Sequence, residues 1–489
     1  MRYEVAITAE AETRLCQHVL RHYKRGARQE DLCFALWRPS TGKNRFSALV
    51  DDVLLPQEDE RLLHGNASFS PHYLGRAAWT ACLKQCGLAF IHSHPSKGWQ
   101  GMSSEDVEAE RDVIAFPAMA TGLPLLGMTA GSDGYWSARF WKKSGRTFAR
   151  EWCAKVRVIG PSKLRLYFND ALLPPPKRKR SLKRTYETWG QHTQSNIERL
   201  HVAIVGLGSV GSVVAESMAR IGIRNLTLID PDRVEEHNLD RLLFATKGDI
   251  GRRKVDLARR AVLRSASAHR MSADAVPLSI HNRLAYRKVL DCDVIFSCVD
   301  RPVARDVLNF VANAHLIPVI DGGVAVQSDI AEDRIFAAHW RSHIVSPFHQ
   351  CLRCNGQYDT SMVVMELDGS LDDPSYVNNL PPGEQPSNQN VFPFGMAVAA
   401  MEVTMLLRYL VARDWWPLVN QQDYQFVTCE TRHKNEACRE GCPFPNRRAR
   451  GDSESPHYLE DMPNPSLWRR GLQAMARVLR PVGKGFRMF

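Results

Sequence analysis

In the stretch IHSHPSKGWQGMSSED, from Ile91 to Asp106, two histidines stand one residue apart, a proline follows, and a serine and an aspartate three apart close it. The apolar run GLAFI before them reads as a strand, whose period of two sets His92 and His94 on one face. Pro95 ends that strand, and SSEDVEAERDVIAF reads as a helix start with Asp106 in its first turn. Two imidazoles and one carboxylate make a three-ligand set with a fourth position open for water, the arrangement of catalytic rather than structural zinc. Such a metal lowers the pKa of a water to about 7. Taken singly the pieces have plainer readings: Ser103-x-x-Asp106 also makes a capping box, and His-x-His also decorates surfaces.

A second set begins at VGLGSVG. Gly206, Gly208 and Gly211 follow the strand-like HVAIV and open a helix, the context a phosphate-binding turn needs. Asp230 ends the next strand, where a ribose-binding acid belongs. This much suits a nicotinamide enzyme as well as an ATP enzyme. The polar residues that follow favour ATP: Asp232, Asn238 and Arg241 in LIDPDRVEEHNLDRLLF, Lys254 in GDIGRRKV, and Asp300 with Arg305 in SCVDRPVAR. A site that displaces pyrophosphate needs Arg and Lys to neutralise charge and Asp to hold magnesium. Two further pairs, CLRC and CREGC, offer Cys351, Cys354, Cys438 and Cys442 to a tetrahedral structural zinc. Cys292 and Cys298 read as buried strand residues, and Cys429, after a strand, reads as either buried or reactive, with burial favoured.

The elements that must position these groups are α/β. The first part reads as a mixed α/β domain. The second reads as a Rossmann-like, mainly parallel sheet, in which CDVIFSCVD and IPVIDGG continue the strand pattern. The expected division is a hydrolytic domain over 1–160, a proline-rich basic linker over 161–183, an adenylating domain with structural zinc over 184–445, and a basic tail over 446–489. In that tail Trp468, Leu472, Met475 and Leu479 form one helical stripe.

With 489 residues the chain exceeds one core. The excess of +11 charges lies in PPPKRKRSLKR and after Arg447, and reads as a solvated linker and tail rather than a nucleic-acid surface. The start, MRYEVAITAEAETRLC, carries charges where a secretion signal needs an apolar run. Glu402 and Arg408 interrupt MAVAAMEVTMLLRYLV, which argues against a membrane span. A cytoplasmic enzyme with reduced thiols is expected, without a membrane partner.

His-x-His-Pro followed by Ser-x-x-Asp resembles the JAMM (Mov34/MPN/PAD-1) metalloprotease motif, over about the first 150 residues. The resemblance implies zinc on His92, His94 and Asp106. Glu30, from QEDLCFALW, would be the general base, and Ser103 the donor to the oxyanion. Trp37 stands where that family usually has a small residue. The second set, from Arg184 to Pro443, resembles the ThiF/MoeB/HesA family and the adenylation domain of ubiquitin-activating enzymes. There Asp230 would hold the ribose, Arg241 and Lys254 the phosphates, and Asp300 the magnesium. Arg184, in RTYETWGQ, would reach the ATP of the partner in a homodimer. Arg301 departs from the pattern, standing where asparagine is usual.

Together the two resemblances imply an enzyme that adenylates the C-terminus of a ubiquitin-like protein with ATP and processes or deconjugates the same protein through zinc. It would act in a bacterial-type conjugation pathway, with a conjugating enzyme as a further partner. The alternative is an activating enzyme for a sulfur carrier, with a protease for the carrier's precursor. Enzymes that pass the modifier onward usually keep a nucleophilic cysteine in the crossover loop, and MELDGSLDDPSYVNNLPPGEQPSNQNVFPF has none. Two explanations stay open: the enzyme stops at the adenylate, or another nucleophile such as Ser387 serves.

Overall fold

The computed structural model describes residues 1–461 apart from 27–28, 65, 330–333, 373–389 and 414. Among the described residues the architecture is α/β, built on two large mixed sheets. The first has nine strands, in spatial order Leu164–Phe168, Lys155–Ile159, Arg2–Thr8, Arg45–Leu54, Leu32–Thr41, Gly87–His94, Leu125–Gly131, Trp136–Ser144 and Thr147–Trp152. Both its faces are covered. Cys33, Ala35 and Trp37 pack with Ala11, Leu15 and Val19 of the helix Ala9–Val19. Their alternates Leu32, Phe34 and Leu36 pack with Tyr73, Leu74 and Ala77 of the helix Pro71–Leu83. Burial on both sides makes FALW read as a continuous apolar run, without the alternation of a half-exposed strand. Thr8 and Ser70 cap these helices, accepting from the amides of Ala11 and Tyr73.

The second sheet has eight strands, in order Ser272–Val276, Asn225–Ile229, His201–Val205, Val294–Ser297, Val319–Asp329, Arg334–Val345, Gln421–Gln425 and Glu430–Lys434. The first five are parallel, as the glycine turn and its neighbours predict. The remaining strands continue antiparallel, so the sheet is mixed. The apolar MAVAAMEVTMLLRYLV lies in the helix Phe392–Val411, which by length and composition could cross a membrane. Its buried side, Glu402 included, packs on the helix Ser209–Ile221 and on the strands Val319–Asp329 and Arg334–Val345.

Two expectations about boundaries change. Residues 161–183 are not all linker, because Leu164–Phe168 pairs antiparallel with Lys155–Ile159 and forms the edge of the first sheet. Leu164 and Phe168 are buried there, a short signal hidden beside prolines and lysines. The range 446–489 does not begin as a free tail either: Arg448 pairs with Asp51 at 3.0 Å and Glu10 at 2.8 Å. Asp452 accepts from the amide and hydroxyl of Thr41 at 3.0 and 2.6 Å. Trp468, Leu472, Met475 and Leu479 lie outside the described residues.

The two sheets meet across a buried ionic set. Asp293, just before the strand Val294–Ser297, receives Lys155 Nζ at 2.5 Å, Arg45 Nη1 at 3.2 Å and Arg157 Nε at 3.7 Å. Glu4 shares the setting, accepting from Arg45 at 3.2 Å and forming an ion pair with Arg2 at 2.7 Å. Burial pushes the Asp293 pKa up, but Lys155, Arg157 and Arg45 outweigh it and hold the carboxyl well below its ordinary range. Nearby, Ser40 Oγ meets His315 Nδ1 at 2.8 Å, and the Tyr286 hydroxyl meets His315 Nε2 at 2.8 Å. Removing one member of such a set leaves its partners charged and dry. Asp293→Ala is expected to cost about 3–5 kcal/mol, read as a lower urea midpoint; an unchanged midpoint would contradict this account of the interface.

Candidate metal and nucleotide sites

The strand Gly87–His94 delivers both histidines to one face, and the loop after it returns Asp106 to them. His92 Nε2 faces His94 Nε2 at 3.1 Å and Asp106 Oδ1 at 3.3 Å, while His94 Nε2 faces Asp106 Oδ2 at 3.2 Å. All three donors lie within 4.8 Å of one another. Burial pushes the Asp106 pKa up, but His92, His94 and the Ser103 amide hold its carboxyl far below the ordinary range. Burial also lowers the basicity of His92, which favours the neutral imidazole that binds metal. Two ring nitrogens and a carboxylate turned toward one point fit zinc.

Ser103 makes the capping box. Its Oγ accepts from the Asp106 amide at 3.1 Å, and Asp106 Oδ2 accepts from the Ser103 amide at 2.8 Å. The box aims Asp106 at the histidines and leaves the hydroxyl hydrogen of Ser103 available for donation.

Glu30 follows from register. Leu32 sits opposite His92 in the antiparallel pair, so two residues further along Glu30 stands across from His94 on the same face. It is half-buried, and burial raises its pKa; His94 lowers it, and Asp106 and Glu105 raise it again. Two of the three candidate ligands, His94 and Asp106, are thus among the charges that act on this carboxyl. Trp37, the departure from the motif, is accommodated by Gly87: its indole fills the space where a Cβ would stand and donates to the Leu88 carbonyl at 3.2 Å.

One residue of this site went unread in the sequence. The helix that begins at Ser104 continues as a π-helical segment from Ala109 to Ile114, a geometry often found at functional sites. It turns Glu110 wholly into the interior, with Oε1 3.9 Å from His92 Nδ1. Arg139 Nε and Trp141 Nε1 donate to Glu110 Oε2 at 2.9 and 2.6 Å, and Arg139 Nη1 donates to Thr129 Oγ1 at 2.5 Å. One helix therefore brings Asp106 to Nε2 of the His92 ring and sets Glu110 on its Nδ1 side, at 3.9 Å and without a hydrogen bond. The available signal was the spacing of four between those acids.

The second site is a cleft of 660 Å³ at the C-terminal ends of the parallel strands. It gathers Gly206, Gly208, Asp230, Asp232, Asn238, Arg241, Lys254, Asp300 and Arg305. Gly206 has φ 87°, and a Cβ on it would meet the Cys298 carbonyl oxygen at 2.4 Å. Gly211 lies behind the turn, where a Cβ would collide with the Gly206 carbonyl oxygen at 1.9 Å. The glycines thus serve close packing of turn, helix and strand.

Asp230 is buried, accepting from the amides of Leu207 at 2.6 Å and Asp232 at 2.8 Å. Burial raises its pKa, opposed first by Lys254. Its remaining lone pairs can meet ribose hydroxyls. Lys254 pairs with Asp232 at 2.9 Å. Asn238 accepts from the Glu235 amide at 3.1 Å, and Arg241 donates to the His237 carbonyl at 2.6 Å, folding the loop over the cleft. Arg305 Nε reaches Asp321 Oδ1 at 3.3 Å. Arg301, the departure from the motif, also lines the cleft, and pairs with Asp372 at 2.7 and 2.6 Å and with Glu366 at 3.1 Å.

Arg184 is exposed on the helix Lys183–Trp189 and does not line the cleft of its own chain. Ser387 lies outside the described residues. Cys351, Cys354, Cys438 and Cys442 converge within 4.8 Å. Backbone amides of Cys351 and Cys354 donate to Cys438 Sγ at 3.2 Å and Cys351 Sγ at 3.4 Å. Four sulfurs turned toward one point fit structural zinc. Cys292 is buried as expected. Cys298 is half-buried and lines the nucleotide cleft. Cys429 corrects the sequence reading: it is exposed, with φ 56°, in the turn between Gln421–Gln425 and Glu430–Lys434. The strand it follows ends at Gln425, so it belongs to a hairpin tip rather than to the sheet.

The family model described as ThiF matches residues 180–443. Over 134 residues, 25% of this chain and 33% of the relative, the sequence is 34% identical to ubiquitin-like modifier-activating enzyme 5 of Drosophila willistoni. Over 129 residues, 26% of this chain and 51% of the relative, it is 31% identical to molybdopterin-synthase adenylyltransferase of Escherichia coli K12. The matched stretch thus spans from a third to a half of these relatives. A crystal structure of E. coli MccB with MccA-N7isoASN aligns at a TM-score of 0.42 and 19% identity, covering 55% of this chain and 75% of that one.

Metal analysis of the full chain is expected to find about two zincs, one in each kind of site. His92→Ala should lose one and keep the other. Glu110→Gln should keep both but hold one about 10–100-fold more weakly in chelator competition; unchanged affinity would remove Glu110 from the site.

Proposed function

Because this chain belongs to the ThiF family, we propose that it activates the C-terminus of a ubiquitin-like or sulfur-carrier protein by adenylation and hydrolyses bonds to that same protein at a zinc site. The adenylating half rests on the cleft, where Arg241, Lys254 and Arg305 gather around the glycine turn with the exposed Asp300. A carboxylate oxygen of the modifier bonds to the α-phosphorus of ATP, and the bond from that phosphorus to pyrophosphate breaks. Asp230 orients the ribose, and the three cations neutralise charge growing on the leaving pyrophosphate. Magnesium held by Asp300 would spread that charge further. Arg184 is exposed and does not line its own cleft, which suits a contribution to a partner's cleft in a homodimer.

The hydrolytic half rests on the convergence of His92, His94 and Asp106 with Glu30 across the strand pair. Zinc held there would lower the pKa of water to about 7. Glu30 takes the proton as water oxygen bonds to the carbonyl carbon, and delivers it to the amine as the C–N bond breaks. Ser103 donates to the carbonyl oxygen as it becomes negative. Twelve free thiols suit a reducing cytoplasm.

A second reading, sulfur-carrier activation, is favoured by one fact: no cysteine lies between Cys354 and Cys429. An enzyme that stops at the adenylate needs none there. Transfer to a conjugating enzyme instead calls for another nucleophile, such as Ser387.

Pyrophosphate exchange into ATP is expected to require a modifier with a free C-terminus and to vanish in Asp300→Ala and Arg241→Ala. Glu30→Ala should retain zinc and lose cleavage by about 10²–10⁴-fold without touching exchange. Exchange that persists in Asp300→Ala, or cleavage that persists in His92→Ala, would overturn the corresponding half.

A further inference from the structure

The strand that carries the histidines has a second face. Side chains alternate, so Ser93 points away from His92 and His94, and Asp31 points away from Glu30. On that reverse face the two residues bind one another. The Asp31 amide donates to Ser93 Oγ at 3.1 Å, and the Ser93 amide and hydroxyl donate to the Asp31 carbonyl at 3.0 and 3.4 Å. The regular strand begins only at Leu32. The ladder by itself therefore does not reach Glu30, and these bonds extend it.

The Asp31 side chain is held from three directions. It has no exposed surface and pairs with Arg61 of the hairpin strand Arg61–His64. Arg21 Nε lies at 3.2 Å, His22 Nε2 at 3.4 Å and His18 Nε2 at 3.5 Å, all from the first helices of the chain. The Leu32 amide donates to Asp31 Oδ1 at 2.9 Å. The Tyr23 phenol lies beside Ser93, within the influence of Glu30 and Asp31. Oδ1 takes the hydrogen bonds, while Oδ2 is met by the neighbouring cations without one; parting a buried carboxylate from such cations is costly, so this cage fixes one point of the backbone, the residue next to Glu30.

We propose that Asp31 and Ser93 are positioning residues for Glu30, clamping the base against the ligand face from behind while taking no part in binding the metal. The inference rests on the hydrolytic reading of the zinc site and adds how its base is held. A general base works only within hydrogen-bond reach of its proton, and a displacement of about 1 Å can cost about 10²-fold.

The test uses full-length, zinc-loaded protein with Ser93→Ala, Ser93→Thr and Asp31→Asn. Three properties are followed: zinc content, cleavage of the fluorogenic peptide Leu-Arg-Gly-Gly-aminomethylcoumarin, and hydrogen exchange of the Asp31 amide. Ser93→Ala and Asp31→Asn are expected to keep wild-type zinc content and KM while kcat falls about 10–100-fold. The Asp31 amide should exchange at least about tenfold faster in Ser93→Ala. Ser93→Thr, which keeps a hydroxyl, should restore both. If Asp31→Asn fails to fold, Ser93→Ala, which deletes only one hydroxyl, carries the test. Wild-type kcat together with wild-type exchange in Ser93→Ala overturns the proposal, and so does loss of the zinc, which would make these residues supports of the metal. If the wild-type chain holds zinc but leaves the peptide intact, the hydrolytic reading fails, and the exchange measurement decides by itself whether the clamp exists.

Discussion

Asp293 has no water to face, and the arrangement of the whole chain follows from how its charge is met. Lys155, Arg157 and Arg45 come to it from the first sheet, while Asp293 itself opens the strand Val294–Ser297 of the second. That strand leads into Cys298 and Asp300 at the nucleotide cleft. Apolar packing crosses the same boundary, since Ala6, Leu49, Ile159 and Leu164 share a cluster with Leu200, Ala399 and Tyr409. Apolar contact is non-directional and tolerates sliding. A buried charge does not, because parting the ions strands each in a medium of low dielectric. The hydrophobic contacts hold the sheets together, and the ions set where each stands.

A similar division of labour appears on a smaller scale at the metal site. The front of the strand pair offers His92, His94 and Glu30, while the back offers Ser93 and Asp31. The helix after Ser103 repeats the theme along its length, with Asp106 against one nitrogen of His92 and Glu110 buried on the side of the other. Each chemically active group thus has a structural neighbour one or four residues away, on the spacing its own element dictates.

What could be read from the sequence was what is local. His92, His94 and Asp106, the glycine turn, and the four cysteines each lie within short windows whose period determines their direction. Glu30 was legible only through the resemblance to the JAMM motif, and the pairing of Leu32 with His92 is what sets it across from His94. What escaped depends on distant pairing. Arg45, Lys155 and Arg157 look like surface charges until Asp293 is brought to them from far along the chain. Glu110 reads as one more helical acid, and only the π-helical turn sends it inward. Leu164–Phe168 is too short to announce itself as a strand without Lys155–Ile159 beside it. Cys429 failed for the opposite reason: the apolar residues before it imitate a strand that in fact stops at Gln425.

The clasp between Thr41 and Asp452 bears on how the molecule is made. The two residues are 411 positions apart, and a Cβ on Gly451 would meet the Pro39 carbonyl oxygen at 2.1 Å, so backbone lies directly on backbone. A ribosome releases the first sheet long before it releases the segment that covers it. Throughout that interval the strand Leu32–Thr41, which begins beside the candidate metal site, lacks its last cover. Contacts of such sequence separation form slowly and late. The first sheet therefore gains its last cover only as the second sheet is finished.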